Sequence, residues 1–227
     1  PTANDRGLSR KHLHQELDKS LTRLAVDYVD LYQCHRFDDH TPLEETCRAM
    51  SDLVERGKTL YWGTSEWTGT QIQAAVSICE EAGWHRPISN QPIYNMLDRH
   101  WEKDSFPSTK QCGIGNVCFS PLAEGMLTGK YVGDTPDGSR AEHERKGKFL
   151  RARFTDANLE KVRRLAQIAG DLEIPMSTLA LRWCLRRTEV SSCIVGASRP
   201  AQIVENTKAV DFEWDESIEV KIAAILD

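Results

Sequence analysis

"VDYVDLYQCHRFDDHTPLEETCRAMSDLVERGKTLYWGTSEW", residues 26 to 67, places an apolar run, a helix signal and a second apolar run in one short span. The first run, from about Asp27 to Gln33, reads as a strand that delivers Cys34, His35 and Arg36 at its end. Thr41, Pro42 and Glu44 have the form of a capping box with proline at the first helical position. Met50, Leu53 and Val54 carry that helix to a stop at Gly57, and "TLYWGTS" at 59 to 65 is the next strand. Strand, helix and strand in this order give a parallel pair with a crossover helix.

The alternation continues in both directions. Upstream, Ser9 can cap a helix whose Leu13, Leu17, Leu21 and Leu24 share one face, ending near Ala25. Downstream, the pattern predicts a helix from Thr68 to Gly83, a short strand "PISNQ" at 87 to 91, and a helix over Arg99 to Gln111 disturbed by Pro107. A strand "GNVCFS" follows at 115 to 120, then a long polar loop from Tyr131 to Phe154. Helices over Asp156 to Gly170 and Pro175 to Arg187, a strand "VSSCIVGA" at 190 to 197, and helices over Pro200 to Val210 and Asp215 to Leu226 complete the chain. The residues leave two architectures open, a doubly wound open sheet and part of a (β/α)8 barrel.

The 227 residues are 40% hydrophobic and 28% charged, with a mean hydropathy of -0.50, as in ordinary soluble domains. A net charge of -5 gives no electrostatic reason to seek nucleic acid or an anionic membrane. Seven cysteines without a CxxC pair read as reduced core thiols of a cytoplasmic protein, not as a disulfide framework or metal site. There is neither a run long enough to span a bilayer nor an apolar N-terminal leader. The first residue, Pro1, is not Met, which suggests that something upstream is absent.

In either architecture, chemistry gathers where strands end. Those ends carry His35 and Arg36; Gly63, Thr64, Ser65 and Glu66; Asn90 and Gln91; Phe119, Ser120 and Pro121; and Gly196, Ala197 and Ser198. The fifth end continues as "GASRPAQIVEN", where Arg199 and a helix N-terminus suit a phosphate. "SPLAEGMLTGKY" at 120 to 131 could cradle a pyrophosphate with its glycines and Lys130. It is not a Walker loop, and no GxGxxG opens a helix, which argues against a P-loop or Rossmann site.

"RLAVDYVDLYQCHRFDDHTPLEET", "LVERGKTLYWGTSEW", "FSPLAEGMLTGKY" and "VSSCIVGASRPAQIVEN" together resemble the aldo-keto reductase superfamily. The resemblance is greatest to the branch holding the β subunits of voltage-gated potassium channels and their plant and bacterial relatives, and it covers nearly the whole chain. It implies a (β/α)8 barrel, here about five of eight strands, that binds NADPH or NADP+ without a Rossmann domain. Residues 1 to 227 would then be the C-terminal portion of a single barrel domain.

By this resemblance His35 is the catalytic histidine, Ser65 and Gln91 hold the nicotinamide carboxamide, and Phe119 stacks on its ring. Ser120, Leu122, Gly125 and Lys130 line the pyrophosphate, together with Pro121 and Ala123 of the same loop. Ser198, Arg199, Gln202, Glu205 and Asn206, after Gly196, hold the adenosine end, with Arg199 on its 2′-phosphate and Arg140 closing over it. Glu66 stands where the family often has Asn or Arg and joins the cofactor set on position alone.

The family's Asp, Tyr and Lys precede the helix with which this chain begins, and none of its five tyrosines occupies the donor motif. The implied activity, reduction of a small aldehyde or ketone by direct hydride transfer, is therefore expected of a longer parent. Channel β subunits usually carry Asn at the position of His35, so the histidine favours catalysis over a regulatory, channel-bound role. Which carbonyl compound is reduced, and whether the protein forms a homo-oligomer, are not written in the sequence.

Overall fold

The computed structural model describes residues 5 to 131 and 148 to 227. Its five strands are β1 (Val29–Cys34), β2 (Thr59–Thr64), β3 (Ser89–Asn90), β4 (Gly115–Phe119) and β5 (Val190–Ile194). They lie in one sheet in the order β1-β2-β3-β4-β5, and β1 through β4 pair in parallel. With helices between the strands, this is an α/β fold. An order with no switch point is that of part of a (β/α)8 barrel and not of a doubly wound sheet.

The chain forms two compact units, Pro1–Pro92 with His100–Val117, and Ile93–Arg99 with Cys118–Asp227. In the first, α1 (Arg10–Leu24) begins at Ser9, whose side chain accepts from the His12 amide, and ends at Ala25 in the left-handed conformation. Leu13, Leu17 and Leu21 enter the core beside Met50 and Leu53 of α2 (Leu43–Glu55) and Trp62 of β2. Leu24 was expected on the same face, but the last turn of α1 leaves it exposed. α3 (Gly69–Ala82) has a reciprocal capping box between Thr68 and Gln71, and Gly83 ends it at φ 67.

The structure departs from the sequence pattern at Thr41, at the third strand and at the helix around Pro107. The Thr41 hydroxyl donates to Asp38 Oδ2 at 2.7 Å, so it caps nothing, and Pro42 is the N-cap residue of α2 without a side-chain bond. β3 is two residues long, although the Ile88 and Gln91 amides still donate to Trp62 and Thr64 carbonyls of β2. The helix around Pro107 breaks earlier, at Asp104, between a 3-10 turn (His100–Lys103) and α4 (Ser105–Gln111). Pro107 sits in the first turn of α4, where no intrahelical N–H bond is lost.

The second unit contains a short α5 (Lys148–Arg151), α6 (Asp156–Asp171), α7 (Met176–Leu185), α8 (Pro200–Asp211) and α9 (Glu216–Leu226). Val162, Leu165, Leu179, Trp183, Ile218 and Ile222 are buried from these helices. Of the loop expected from Tyr131 to Phe154, residues 132 to 147 lie outside the described residues, and Lys148–Arg151 is helical. Among the described residues, no helix is long and apolar enough to cross a membrane.

Strand register sorts the side chains by face. Cys34 aligns with Thr64, Thr64 with Asn90, and Asn90 with Asn116. Residues in register across a parallel sheet point the same way, and all four of these are wholly buried. The Thr64 hydroxyl donates to Asn90 Oδ1 at 2.9 Å, Asn90 Nδ2 to Asn116 Oδ1 at 3.4 Å, and Asn116 Nδ2 to Thr109 Oγ1 of α4 at 2.8 Å. This row ties β2, the very short β3 and β4 to a helix. On the opposite face, Leu31 and Tyr61, also in register, are exposed.

Replacing Asn90 by Ala strips Thr64 and Asn116 of a shared partner in a dry environment and leaves a small void. The expected loss is about 2–4 kcal/mol, read as a lower denaturation midpoint with an unchanged m-value. Loss of less than about 0.5 kcal/mol, the range of an ordinary surface substitution, would show that the row does not hold the sheet.

Candidate functional site

The register that buries Thr64 and Asn90 sets the next residue of each strand in a second row. His35 follows Cys34, Ser65 follows Thr64, and Gln91 follows Asn90. The Ser65 hydroxyl donates to the Gln91 carbonyl at 2.9 Å, and Gln91 Nε2 donates to Gln33 Oε1 at 2.8 Å. Gln33 Nε2 in turn donates to Ser89 Oγ at 3.2 Å. Gly63 lies under this ladder because a Cβ there would overlap Ser89. Thr64 and Asn90, read from sequence as rim groups, belong instead to the buried row on the other face.

His35 is exposed at the end of β1. Arg36 folds back on the chain, its Nη1 donating to the His35 carbonyl at 2.7 Å and reaching Ser65 Oγ at 3.5 Å. The neighbouring Cys34 is fully buried, and burial pushes its thiol up to about 12, which removes it as a nucleophile. Asp38 anchors the loop after His35. It accepts from the Thr41 hydroxyl, the Leu8 amide at 2.8 Å and the His40 amide at 3.0 Å. The Thr41 bond above all, then those from Leu8 and His40, hold its carboxyl below the usual value of 3.8. Glu66 adopts φ 58 and accepts from Trp101 Nε1 at 3.3 Å.

In the second unit, Phe119 ends β4, where it bridges Ile93 and its carbonyl accepts from the Tyr94 amide. The chain then turns sharply. Ser120, Ala123 and Glu124 have φ 51, 47 and 56, and Gly125 has φ 102. Non-glycine residues in that region cost roughly 1–3 kcal/mol each and persist only where surroundings hold them, as at active sites, ligand clamps and switch regions. A 3-10 segment (Ala123–Thr128) follows, pinned by buried Pro121, Ala123, Met126 and Leu127, with Leu122 half-buried above it. Lys130 is exposed, its Nζ 4.9 Å from the ring centroid of Tyr131 and close to where a Cβ on Gly125 would stand.

The start of α7 connects this loop with α8. A Cβ on Gly129 would stand 3.4 Å from Met176 Sδ, while Ser177 Oγ donates to Glu205 Oε1 at 2.9 Å. Glu205 thus faces α7. Gln202 Oε1 accepts from the Ser198 amide at 2.7 Å, the Ser198 hydroxyl at 3.2 Å and the Arg199 amide at 3.2 Å, so the expected free donors of this helix start are partly engaged. Gly196 and the Arg199 side chain are exposed, and Asn206 is half-buried on α8. Arg140 lies outside the described residues.

Sequence reasoning passed over Gln33, Ser89 and Glu124. The first two carry no motif and become visible only through register. Among the described residues, no group of three or more His, Cys, Asp or Glu could hold a metal ion. In the first unit a hydroxyl and amides stand at the end of the row, and in the second a glycine-bearing loop carries a lysine.

A family model described as the aldo/keto reductase family matches residues 1–227. A probable voltage-gated potassium channel subunit beta from Oryza sativa subsp. japonica is 45% identical over 210 residues, covering 92% of this chain and 64% of the relative. A putative voltage-gated potassium channel subunit beta from Schizosaccharomyces pombe is 43% identical over 221 residues, covering 92% and 62%. An L-glyceraldehyde 3-phosphate reductase from Escherichia coli (strain K12) is 40% identical over 211 residues, covering 90% and 60%. The chain thus spans less than two thirds of the length of these relatives.

Asp38 makes the His35 loop sensitive to acid. A carboxyl whose folded pKa is depressed stabilises the fold above its unfolded value and loses that contribution as pH falls through the folded one. Amide exchange at Leu8 and His40 is therefore expected to accelerate below the ordinary carboxyl value of 3.8, beyond the intrinsic pH trend. Asp38→Asn should already show fast exchange at neutral pH; slow exchange in that variant would contradict the assignment.

Proposed function

Because the chain belongs to the aldo/keto reductase family, we propose that it supplies the cofactor-binding and carbonyl-binding part of an NADPH-dependent reductase of small aldehydes or ketones. The observation that carries this reading is the row of His35, Ser65 and Gln91 at the carboxyl ends of three consecutive parallel strands. The residues fit a nicotinamide. Ser65 Oγ donates to the Gln91 carbonyl and accepts from Arg36 Nη1 at 3.5 Å, which leaves one lone pair for a carboxamide N–H. Gln91, held by Gln33, keeps its side-chain oxygen as a further acceptor. Bound NADPH supplies the hydride.

The chain's own residues bind and polarise. His35 donates a hydrogen bond to the substrate carbonyl oxygen and stabilises the negative charge that grows there. Phe119 offers a ring face at the end of β4, and the loop from Ser120 to Lys130 offers backbone amides and an ammonium to a pyrophosphate. Arg199, Ser198 and Gln202 at the start of α8, with Asn206 one turn further along it, are offered to the adenosine end and its 2′-phosphate. Glu205, turned to Ser177, acts by fixing α8 on α7. Glu66, engaged by Trp101, shapes the turn after β2.

The tyrosines do not supply a proton donor in this reading. Tyr32 is half-buried and burial raises its hydroxyl to about 12, while Tyr94 is buried against Trp183 with ring centroids 5.0 Å apart. The reaction therefore belongs to the natural full-length protein. The seven cysteines of this chain are free, which supports a cytoplasmic setting. A second reading, a regulatory β subunit that binds NADPH and a potassium channel, is favoured by the relatives from rice and fission yeast. Recovery of a channel's cytoplasmic domain with the protein, without aldehyde turnover, would select it.

The full-length protein is expected to oxidise NADPH only when an aldehyde or ketone is present. Replacing His35 by Ala should lower kcat/KM by about 10²–10³-fold, the scale of one oxyanion donor. Undiminished turnover in that variant would remove His35 from the mechanism.

A further inference from the structure

The strained turn after β4 is closed by a ring of polar side chains that no motif announces. The Ser120 hydroxyl donates to Glu124 Oε1 at 2.8 Å, and Arg153 Nε donates to Glu124 Oε2 at 2.9 Å. Arg153 Nη2 also reaches Asp98 Oδ2 at 3.4 Å. Asp98 and Asn95 exchange backbone hydrogen bonds, and Asn95 Nδ2 donates to the Ser120 carbonyl at 3.0 Å, which returns to the first residue. The side chains of Arg153 and Glu124 are only 17% and 13% exposed, so both charges are largely removed from water.

Two consequences follow from the position of this ring. Both ends of the left-handed stretch, Ser120 and Glu124, are fixed by it from outside the turn, Ser120 through its carbonyl by Asn95 and Glu124 through its carboxylate by Arg153. Glu124 also puts a carboxylate in a loop read as a pyrophosphate cradle, where an uncompensated charge would repel the ligand. A planar guanidinium can neutralise it while bridging a second carboxylate; an ammonium has no such fork.

We propose that Arg153 is a positioning residue for the cofactor loop, locking Ser120 to Thr128 in the shape that receives a diphosphate and cancelling the charge of Glu124. The proposal rests on the NADPH reading above. The ion pair acts through the loop, not on the reacting atoms, so it governs cofactor affinity and leaves the intrinsic chemistry alone. Arg153→Met opens the loop and leaves the largely buried Glu124 with the Ser120 hydroxyl but no counter-charge. Adding Glu124→Gln to Arg153→Met removes that stranded charge and restores part of what was lost.

The test combines amide hydrogen exchange over residues 120 to 128 with NADPH titration of the chain, monitored by tryptophan fluorescence. In Arg153→Met, exchange in this segment is expected to rise by about tenfold or more while α9 is unchanged, and the NADPH Kd to rise by about tenfold. The double variant should recover at least half of the logarithmic loss, and Arg153→Lys should fall between wild type and Arg153→Met. Unchanged exchange in Arg153→Met overturns the clamp. Faster exchange with an unchanged Kd overturns its role in cofactor binding. If the wild-type chain binds no NADPH, the cofactor reading and this proposal fall together, and the exchange measurement alone reports whether the ring holds the turn.

Discussion

The row Thr64, Asn90, Asn116 and Thr109 is the constraint on which the first unit depends. β3 offers only two residues to the sheet, too few to fix their own register through backbone bonds alone. The buried side chains supply what the backbone lacks. Each donates to the next across β2, β3 and β4, and the last reaches α4. A slip of one residue would turn three amide or hydroxyl groups away from their partners and expose the apolar face that Cys34 and Trp62 bury. Dry polar networks of this kind are costly when broken and specific when complete.

From that register the candidate site follows without further design. Because the side chains alternate, fixing residues 34, 64 and 90 on the helix side directs the following residue of each strand elsewhere. Those residues are His35, Ser65 and Gln91. Gln33 and Ser89, on the face opposite the buried row, then brace Gln91 from below. The second unit solves a different problem. Its loop after β4 must hold several residues in a disfavoured conformation, and it does so with buried apolar anchors and a charged ring.

Local signals predicted the elements well where their cause is local. Ser9 and the leucines of α1 mark its start and buried face, and Thr68 and Gly83 bracket α3 to the residue, because caps and periodicity act within a turn or two. Thr41 misled because its hydroxyl found Asp38, a choice set by where the loop after β1 happens to pack. Pro107 misled in the other direction, since a proline in the first turn of a helix breaks nothing. For the site, the rim positions His35, Ser65 and Gln91 could be read as strand ends, but Thr64 and Asn90 could not be separated from them without register. Glu124 and Arg153 stand 29 residues apart, and no local pattern could pair them.

Whether this rim and loop take a dinucleotide is the point on which all else turns, and direct titration of NADPH against the intrinsic fluorescence of the six tryptophans decides it. Saturable quenching with a Kd in the range of about 1 μM to 1 mM, and weaker quenching by NADH, is the expected result. Fluorescence that falls only in proportion to absorbance, with no saturation up to the upper end of that range, would contradict a cofactor site in this chain.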